Sequence, residues 1–129
     1  NDNHFIFDFI KNCHKAKYDD KKFVIWGDGT ARRELIYVED ACQTMINLLG
    51  QNNEIFNLGA GEDHSINDFA KYVCELYNYD HNLIEHDLSK YVGVKSKLLD
   101  INKTSDLNLL RPLKKGLEKT INWYKSLHL

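Results

Sequence analysis

The sequence predicts one compact domain of the α/β class, and three observations lead to this prediction. Segments with helical hydrophobic spacing alternate with short apolar runs typical of strands, and no repeat interrupts the order. The 129 residues are 43% hydrophobic and 28% charged, with a single proline, which is the composition of a globular chain. A chain of this length buries roughly two thirds of its unfolded surface, enough for a core without disulfides or metals.

The first third of the chain alternates between helix and strand. Apolar residues three and four positions apart predict an amphipathic helix from Phe5 to Lys17, with lysines on its outer face. The apolar run Phe23–Trp26 predicts a strand that ends in a turn over residues 27–29, where two glycines flank an aspartate. A second strand is predicted over Glu34–Val38.

The middle of the chain begins with a predicted helix over Ala41–Leu49. Glu39 and Asp40 precede it with negative charge, which favours a helix amino terminus, and Gly50 is a suitable end. A buried strand is predicted over Glu54–Leu58.

A capping box predicts the start of the next helix. Ser65 stands three residues before Asp68 and opens a helix that continues to about Tyr77. A short strand is then predicted near Leu83–Glu85, and residues Lys97–Asp100 are predicted to be extended or strand-like.

Two helices are predicted in the last part of the chain. Asn102 is expected to cap a short helix that includes Leu107. Pro112 then precedes a last amphipathic helix over Lys114–Leu127.

Composition argues against several classes of function. Seventeen Lys and Arg face nineteen Asp and Glu, so no basic excess favours nucleic-acid binding. No apolar stretch is long enough to span a membrane, and the first residues do not resemble a signal peptide. The three cysteines, Cys13, Cys42 and Cys74, are far apart in sequence and odd in number, so we predict reduced, buried thiols in a cytoplasmic protein.

Three patterns that could carry chemistry are weak. The six histidines lack the spacing of metal ligands, so no metal site is predicted. Residues 59–61 resemble a dinucleotide-binding turn, but the third glycine is absent and Glu62 and Asp63 would repel a pyrophosphate. Tyr18 with Lys22, and Tyr91 with Lys95, have the spacing of a catalytic Tyr and Lys on a helix, but neither pair lies in a predicted helix, and we expect surface tyrosines.

The strongest candidate site is the segment from Trp26 to Glu34. It places an aromatic ring, a glycine turn and two adjacent arginines at the end of a predicted strand. An aromatic face suits an apolar or stacking contact, and a guanidinium suits a phosphate, so the segment predicts a nucleotide-linked ligand. The alternative is a core tryptophan beside a surface pair of Arg33 and Glu34.

At this segment the chain resembles the extended short-chain dehydrogenase/reductases that modify nucleotide sugars, and within them the GDP-fucose synthase-like branch. The resemblance covers nearly the whole chain but corresponds only to the carboxyl-terminal portion of the family's proteins. The stretches that carry it are Asn3-His4, Trp26-Gly27-x-Gly29-Thr30-x-x-Arg33-Glu34, Tyr37-Val38-Glu39-Asp40-Ala41, Asn57-Leu58-Gly59-Ala60-Gly61, Lys97-Leu98-Leu99-Asp100 and Gly116-Leu117-x-Lys119-Thr120-x-x-Trp123-Tyr124.

The resemblance implies roles for four residues. Trp26, Arg33 and Lys97 match positions that hold the GDP-sugar, with the two cations near its diphosphate. His4 matches the family's general acid, which works opposite a cysteine base when a 4-keto-6-deoxy sugar is epimerised. The alternative for His4 is a helix-cap residue, because a branch that reduces without epimerising has no need of the acid.

The resemblance also implies a fold and an assembly. Residues 1–129 are expected to form the small substrate-binding domain of such an enzyme, as a piece of a longer chain that lacks the main Rossmann sheet. NADPH would be bound by an amino-terminal part outside this chain, and the full-length protein would be a homodimer. Alone, the piece is expected to be inactive and to expose apolar surface, because the segments Tyr37–Leu49 and Glu54–Gly59 would pack on the cofactor domain.

Departures from the family's pattern leave alternatives open. No cysteine precedes His4, where the base would lie, and Lys95-Ser96 replaces the Pro-Arg that the fucose branch carries before its lysine. A reductase of a related GDP-6-deoxy-hexose or GDP-6-deoxy-heptose therefore fits equally well. The alternatives are an epimerase or dehydratase of UDP- or dTDP-sugars, and a non-catalytic module that binds sugar nucleotides.

Overall fold

The computed structural model describes residues 4–51, 54–107 and 110–128. Within them the chain forms four α-helices and four short β-strands. In chain order these are α1 (Phe5–Tyr18), β1 (Val24–Trp26), β2 (Arg32–Arg33), α2 (Val38–Asn47), β3 (His64–Ser65), α3 (Ile66–Tyr77), β4 (Glu85–Asp87) and α4 (Leu113–His128). Short 3-10 turns lie at His81–Leu83 and Ser105–Leu107.

The strands form two small two-stranded sheets in the described part of the chain. β1 pairs in parallel with β4, and Ile25 lies opposite His86. β2 pairs antiparallel with β3, and Arg32 lies opposite Ser65. The α/β class is therefore confirmed, and the described residues form no large parallel sheet of the Rossmann type.

The core lies between α1, α3, α4 and β1. Each helix contributes the apolar face that its spacing predicts, as with Phe9 in α1, Phe69 in α3 and Ile121 in α4. The aromatic rings contact one another edge to face, for example Phe5 with Phe69 at 5.3 Å between centroids. Packing of this kind stabilises the three helices against one another, although they are far apart in sequence.

The predicted start of α3 is confirmed in detail. The Ser65 hydroxyl oxygen accepts from Asp68 N at 3.0 Å, and Asp68 Oδ2 accepts from Ser65 N at 3.0 Å and from Ser65 Oγ at 2.7 Å. The hydrogen bonds from Ser65 lower the pKa of Asp68, and they outweigh the partial burial that would raise it, so the pKa lies below its ordinary value. The helix ends at Asn78, which adopts the left-handed conformation that often terminates helices.

The predicted burial of the cysteines is confirmed for two residues and wrong for the third. Cys13 and Cys74 are fully buried where α1 meets α3, with their sulfurs 4.0 Å apart. The hydrogen bond between them and their burial raise the pKa of the Cys13 thiol far above its ordinary value. Cys42 is exposed, because α2 lies outside the core and turns this side of the helix outward.

The predicted strand over Glu34–Val38 is wrong. Regular pairing ends with β2, residues 34–37 have no strand partner among the described residues, and Val38 already belongs to α2. α2 therefore begins three residues earlier than predicted, with Glu39 and Asp40 inside its first turn, where negative charge is stabilising. It also ends earlier, at Asn47.

Two further strand predictions, over Glu54–Leu58 and near Leu83–Glu85, need correction, whereas the extended conformation predicted for residues 97–100 is confirmed. Glu54–Leu58 forms no strand, because no partner strand lies beside it in the part of the chain that the structure describes. Residues 97–100 are extended only, and one isolated bridge between Arg32 and Ser96 precedes them. The strand predicted near Leu83 lies two residues later, as β4, because a 3-10 turn occupies residues 81–83.

Exposed apolar side chains gather on α2 and on the segment after it. Met45 and Ile46 are more than half exposed, Leu49 is 78% exposed and Ile55 is 90% exposed. The expectation that these segments expose apolar surface is thus confirmed. Among the described residues, no helix combines the length and apolar character needed to cross a bilayer.

Candidate substrate-binding site

The candidate site is built on a tight turn at the end of β1. Gly27 and Gly29 both adopt positive φ angles, +73° and +72°, which a residue with a side chain rarely adopts. Between them, Asp28 Oδ1 accepts from Thr30 N at 2.9 Å and from Thr30 Oγ1 at 2.8 Å. These bonds lower the pKa of Asp28, so its carboxylate is ionised and fixes the turn.

Asn67, in the first turn of α3, holds this turn in place. Its side-chain nitrogen donates to Asp28 O at 3.0 Å, and its backbone nitrogen donates to Gly29 O at 3.0 Å. Its side-chain oxygen lies 2.9 Å from His86 Nε2 on β4. A Cβ atom on Gly29 would collide with Asn67 Oδ1, so the close approach requires glycine there.

A cavity of about 440 Å³ opens beside the turn. One wall is a face of α1, another is β1 with its turn, and a third is the loop after β4. Its lining residues include Phe5, Asp8, Phe9, Asn12, Trp26, Asp28, Arg33, Tyr91 and Val92. The size and the mixed lining suit a small organic ligand with both apolar and polar groups.

Trp26 and Arg33 line this same cavity, as the sequence prediction requires of a shared site. The Trp26 side chain is 63% exposed at the rim, so one face of its ring is accessible, and Lys90 Nζ lies 5.8 Å from the ring centroid. The alternative of a core tryptophan is therefore wrong.

The Arg33 guanidinium is held in position by backbone oxygens. Nη1 donates to Arg32 O at 2.6 Å, and Nη2 donates to Val92 O at 3.3 Å. No ion pair neutralises Arg33 within the described residues, so the alternative of a surface pair with Glu34 is also wrong. Because a guanidinium carries five N–H donors, two such bonds leave donors available for a phosphate.

Arg32, the neighbouring arginine, has a structural role. Its Nε donates to Asp63 Oδ1 at 2.9 Å and its Nη2 donates to Asp63 O at 2.7 Å. Ser96 Oγ donates to Asp63 Oδ2 at 3.0 Å, and the bonds from Arg32 and Ser96 lower the pKa of Asp63. The two arginines therefore have different roles: Arg32 binds Asp63, and of the two only Arg33 lines the cavity.

Glu34 connects two segments that are far apart in sequence, the loop over residues 59–61 and the extended segment over residues 97–100. Its Oε1 accepts from Gly61 N at 2.7 Å, and its Oε2 accepts from Leu99 N at 3.1 Å. One carboxylate thus joins the end of β2 to the loop over 59–61 and to the extended segment over 97–100. Sequence reasoning missed this role; the signal available was that all three segments belong to one resemblance.

Lys97 and His4 lie outside the cavity that Trp26 and Arg33 share. The Lys97 backbone nitrogen donates to Arg32 O at 3.3 Å, which places the residue beside β2, but its side chain is exposed and does not line the cavity. His4 is the residue before α1, where it stacks on Phe5 and makes no side-chain capping bond.

His4 borders a second cavity of about 350 Å³. Asp40, 5% exposed, accepts there from Arg111 N at 3.0 Å and from Arg111 Nε at 2.8 Å. The Arg111 guanidinium lies 4.5 Å from the ring centroid of Tyr37. Because these charged groups already satisfy one another, the second cavity is primarily a packing junction between α2 and α4.

The loop over residues 59–61 does not fit a nicotinamide dinucleotide. Residues 59–61 do not follow a strand, and Gly61 N, the amide that would face a phosphate, donates instead to Glu34. A Cβ atom on Gly59 would lie 2.5 Å from Glu34 Oε1, so a carboxylate packs against this loop, where it would repel a phosphate. The described parts of the chain also contain no cluster of residues able to hold a metal ion.

Comparisons with known proteins agree with the resemblance. A model of the NAD dependent epimerase/dehydratase family matches residues 1–59. A GDP-L-fucose synthase from Azorhizobium caulinodans is 32% identical over 127 residues, which cover 94% of this chain and 40% of that protein. The chain therefore spans about 40% of the length of this relative.

Solved structures show the same fold. A GDP-L-fucose synthetase from Naegleria fowleri bound to NADP superimposes with a TM-score of 0.88 at 23% identity, over 97% of this chain and 41% of that one. A UDP-glucose 4-epimerase from Thermotoga maritima with UDP-glucose gives 0.84 at 22% identity, over 98% and 40%. Taken together, the family match and the sequence relatives confirm the resemblance: the chain is similar, over nearly its whole length, to part of GDP-L-fucose synthases and other proteins of the NAD dependent epimerase/dehydratase family.

Proposed function

We propose that this chain is the GDP-sugar-binding, carboxyl-terminal portion of an NADPH-dependent epimerase/reductase of GDP-4-keto-6-deoxy sugars. The observation that carries the proposal is the cavity beside β1, in which the accessible face of Trp26 and the uncompensated guanidinium of Arg33 line one space. These two groups provide what a nucleoside diphosphate needs, an aromatic surface and a bidentate cation. The relatives named for GDP-sugars support the choice of nucleotide.

The remaining assignments follow from this proposal. Lys97 and His4 lie outside the cavity, so their roles require the ligand to extend beyond it. Lys97 would approach the diphosphate from beside β2, and His4 would supply the proton that inverts a carbon next to the keto group. Protons beside a ketone are acidic because the enolate is stabilised, so an acid and a base on opposite faces can invert that centre. NADPH would be bound by residues outside this chain, and we expect the chain alone to be inactive.

A binding titration tests the proposal. Trp123 lies on α4 outside the cavity, so Trp123→Phe leaves Trp26 as the sole tryptophan reporter of ligand binding. We expect GDP to quench its fluorescence at lower concentration than UDP or dTDP. Arg33→Met should weaken GDP binding about tenfold or more, because a charge-assisted contact to phosphate is lost.

Controls separate this proposal from its rivals. Lys15→Met removes a positive charge from the exposed side of α1 and should leave GDP binding unchanged. A preference for UDP would favour the UDP-sugar epimerases that share the fold. Absence of binding by any of the three nucleotides would refute the proposed site.

A further inference from the structure

The wall of the cavity formed by α1 carries two polar side chains that have no hydrogen-bond or ion-pair partner among the described residues. Asp8 and Asn12 lie four residues apart, one helical turn or about 6 Å along the axis, on the same side as Phe5 and Phe9. Both are half-buried, and neither side chain has a hydrogen bond or ion pair to another residue in the described ranges.

Such groups normally find partners. Half-burying a carboxylate and an amide removes part of their hydration, so proteins usually compensate them with hydrogen bonds. A position in the first turn of α1 suits the charge of Asp8, but it does not explain Asn12, which lies beyond the reach of the helix terminus. Asp28, the other carboxylate of the cavity, already accepts two bonds within its own turn. Asp8 is therefore the cavity carboxylate that retains its full capacity to accept.

The chemistry of this pair matches the edge of one base. Guanine presents two adjacent donors, N1–H and the N2 amino group, beside the acceptor O6. A carboxylate can accept from both donors, and an amide N–H can donate to O6. Uracil and thymine present one donor flanked by two carbonyl oxygens, which a carboxylate repels. Adenine presents an acceptor at N1, which also opposes it.

We propose that Asp8 and Asn12 recognise the guanine base of the ligand in this cavity, and the inference rests on the proposed GDP-sugar site. Asp8 accepts from guanine N1–H and N2–H, and Asn12 donates to O6. Trp26 and Tyr91, which line the same cavity, supply aromatic faces for the base. The charge on Asp8 also disfavours phosphate beside it, so the diphosphate lies toward Arg33 on β2.

Inosine diphosphate tests the inference without any mutation, because it differs from GDP only in lacking the N2 amino group. Calorimetric titration of the full chain should show that GDP binds about tenfold more tightly than inosine diphosphate, since one charge-assisted hydrogen bond is lost. Asp8→Asn should weaken GDP binding about tenfold or more and abolish the difference between the two ligands. Asp19→Asn, at the exposed end of the same helix, is the matched control and should change neither affinity.

The outcomes separate the two proposals. If the wild-type chain binds GDP and inosine diphosphate equally, or if Asp8→Asn binds GDP as the wild type does, the base-reading role is refuted and the GDP site stands. If the wild-type chain binds none of the diphosphates, the proposed function fails first and this inference fails with it. Circular dichroism of each variant verifies that α1 remains folded.

Discussion

Substitution of Glu34 by glutamine should loosen two loops at once. The carboxylate accepts from Gly61 N at 2.7 Å and from Leu99 N at 3.1 Å, whereas a glutamine has only one oxygen and would turn its amino group toward one of these donors. A hydrogen bond to a charged acceptor contributes about 1.5–3 kcal/mol when buried. Because these bonds are partly exposed, we expect a loss of about 1–2 kcal/mol in the free energy of unfolding.

Urea denaturation measures this loss. With a slope of about 2 kcal/mol per molar, the midpoint should fall by about 0.5–1 M. Amide hydrogen exchange gives the more specific readout, because exchange at Gly61 and Leu99 should accelerate by about tenfold while amides within α3 change little. Glu118→Gln, which breaks an exposed pair with Lys115 on α4, is the control and should cost less than about 0.5 kcal/mol. Unchanged exchange at both amides in Glu34→Gln would contradict the connecting role of this carboxylate.

Three further predictions concern the interior. Folding lowers the pKa of Asp68, so the stability that its carboxylate contributes is present above about pH 4 and is lost as the pH falls below that. As the pH is lowered from 6 to 3, the urea midpoint should therefore fall less in Asp68→Asn than in the wild type. Ellman's reagent should modify one of the three thiols rapidly, Cys42, and the two buried thiols only after unfolding, as mass spectrometry of the labelled protein will show. Tyr77→Phe should leave stability unchanged or raise it by up to about 1 kcal/mol, because the buried hydroxyl has no hydrogen-bond partner among the described residues; a clear loss in thermal unfolding would reveal a partner.

Helices were predictable from this sequence because their determinants are local. The spacing of apolar residues located α1, α3 and α4 to within a residue or two, and the capping box at Ser65 fixed the start of α3. Strands depend on a partner that the local sequence does not reveal. Glu54–Leu58 has the apolar content of a buried strand, yet Ile55 is 90% exposed and no described strand lies beside this segment.

The candidate site was predictable only in part, for a related reason. Trp26 and Arg33 are close in sequence and lie on one turn and the strand after it, so a shared cavity could be anticipated. The place of Asp8 and Asn12 in the cavity could not be anticipated, because it depends on how α1 packs across β1. Helical spacing alone does not show whether a polar side chain faces a cavity or solvent. The connecting role of Glu34 could not be predicted either, because its partners are backbone amides, which leave no mark in the sequence.

The arrangement of the core has a consequence for synthesis on the ribosome. Ile10 in α1 belongs to the same core cluster as Ile121 in α4, so the core is complete only when α4 has emerged. At about 5–20 residues per second, the roughly one hundred residues between these helices take of the order of ten seconds to translate. During this interval α1 can pack only on β1 and α3, and the apolar positions that later contact α4 stay uncovered, a state in which nascent chains are prone to aggregate.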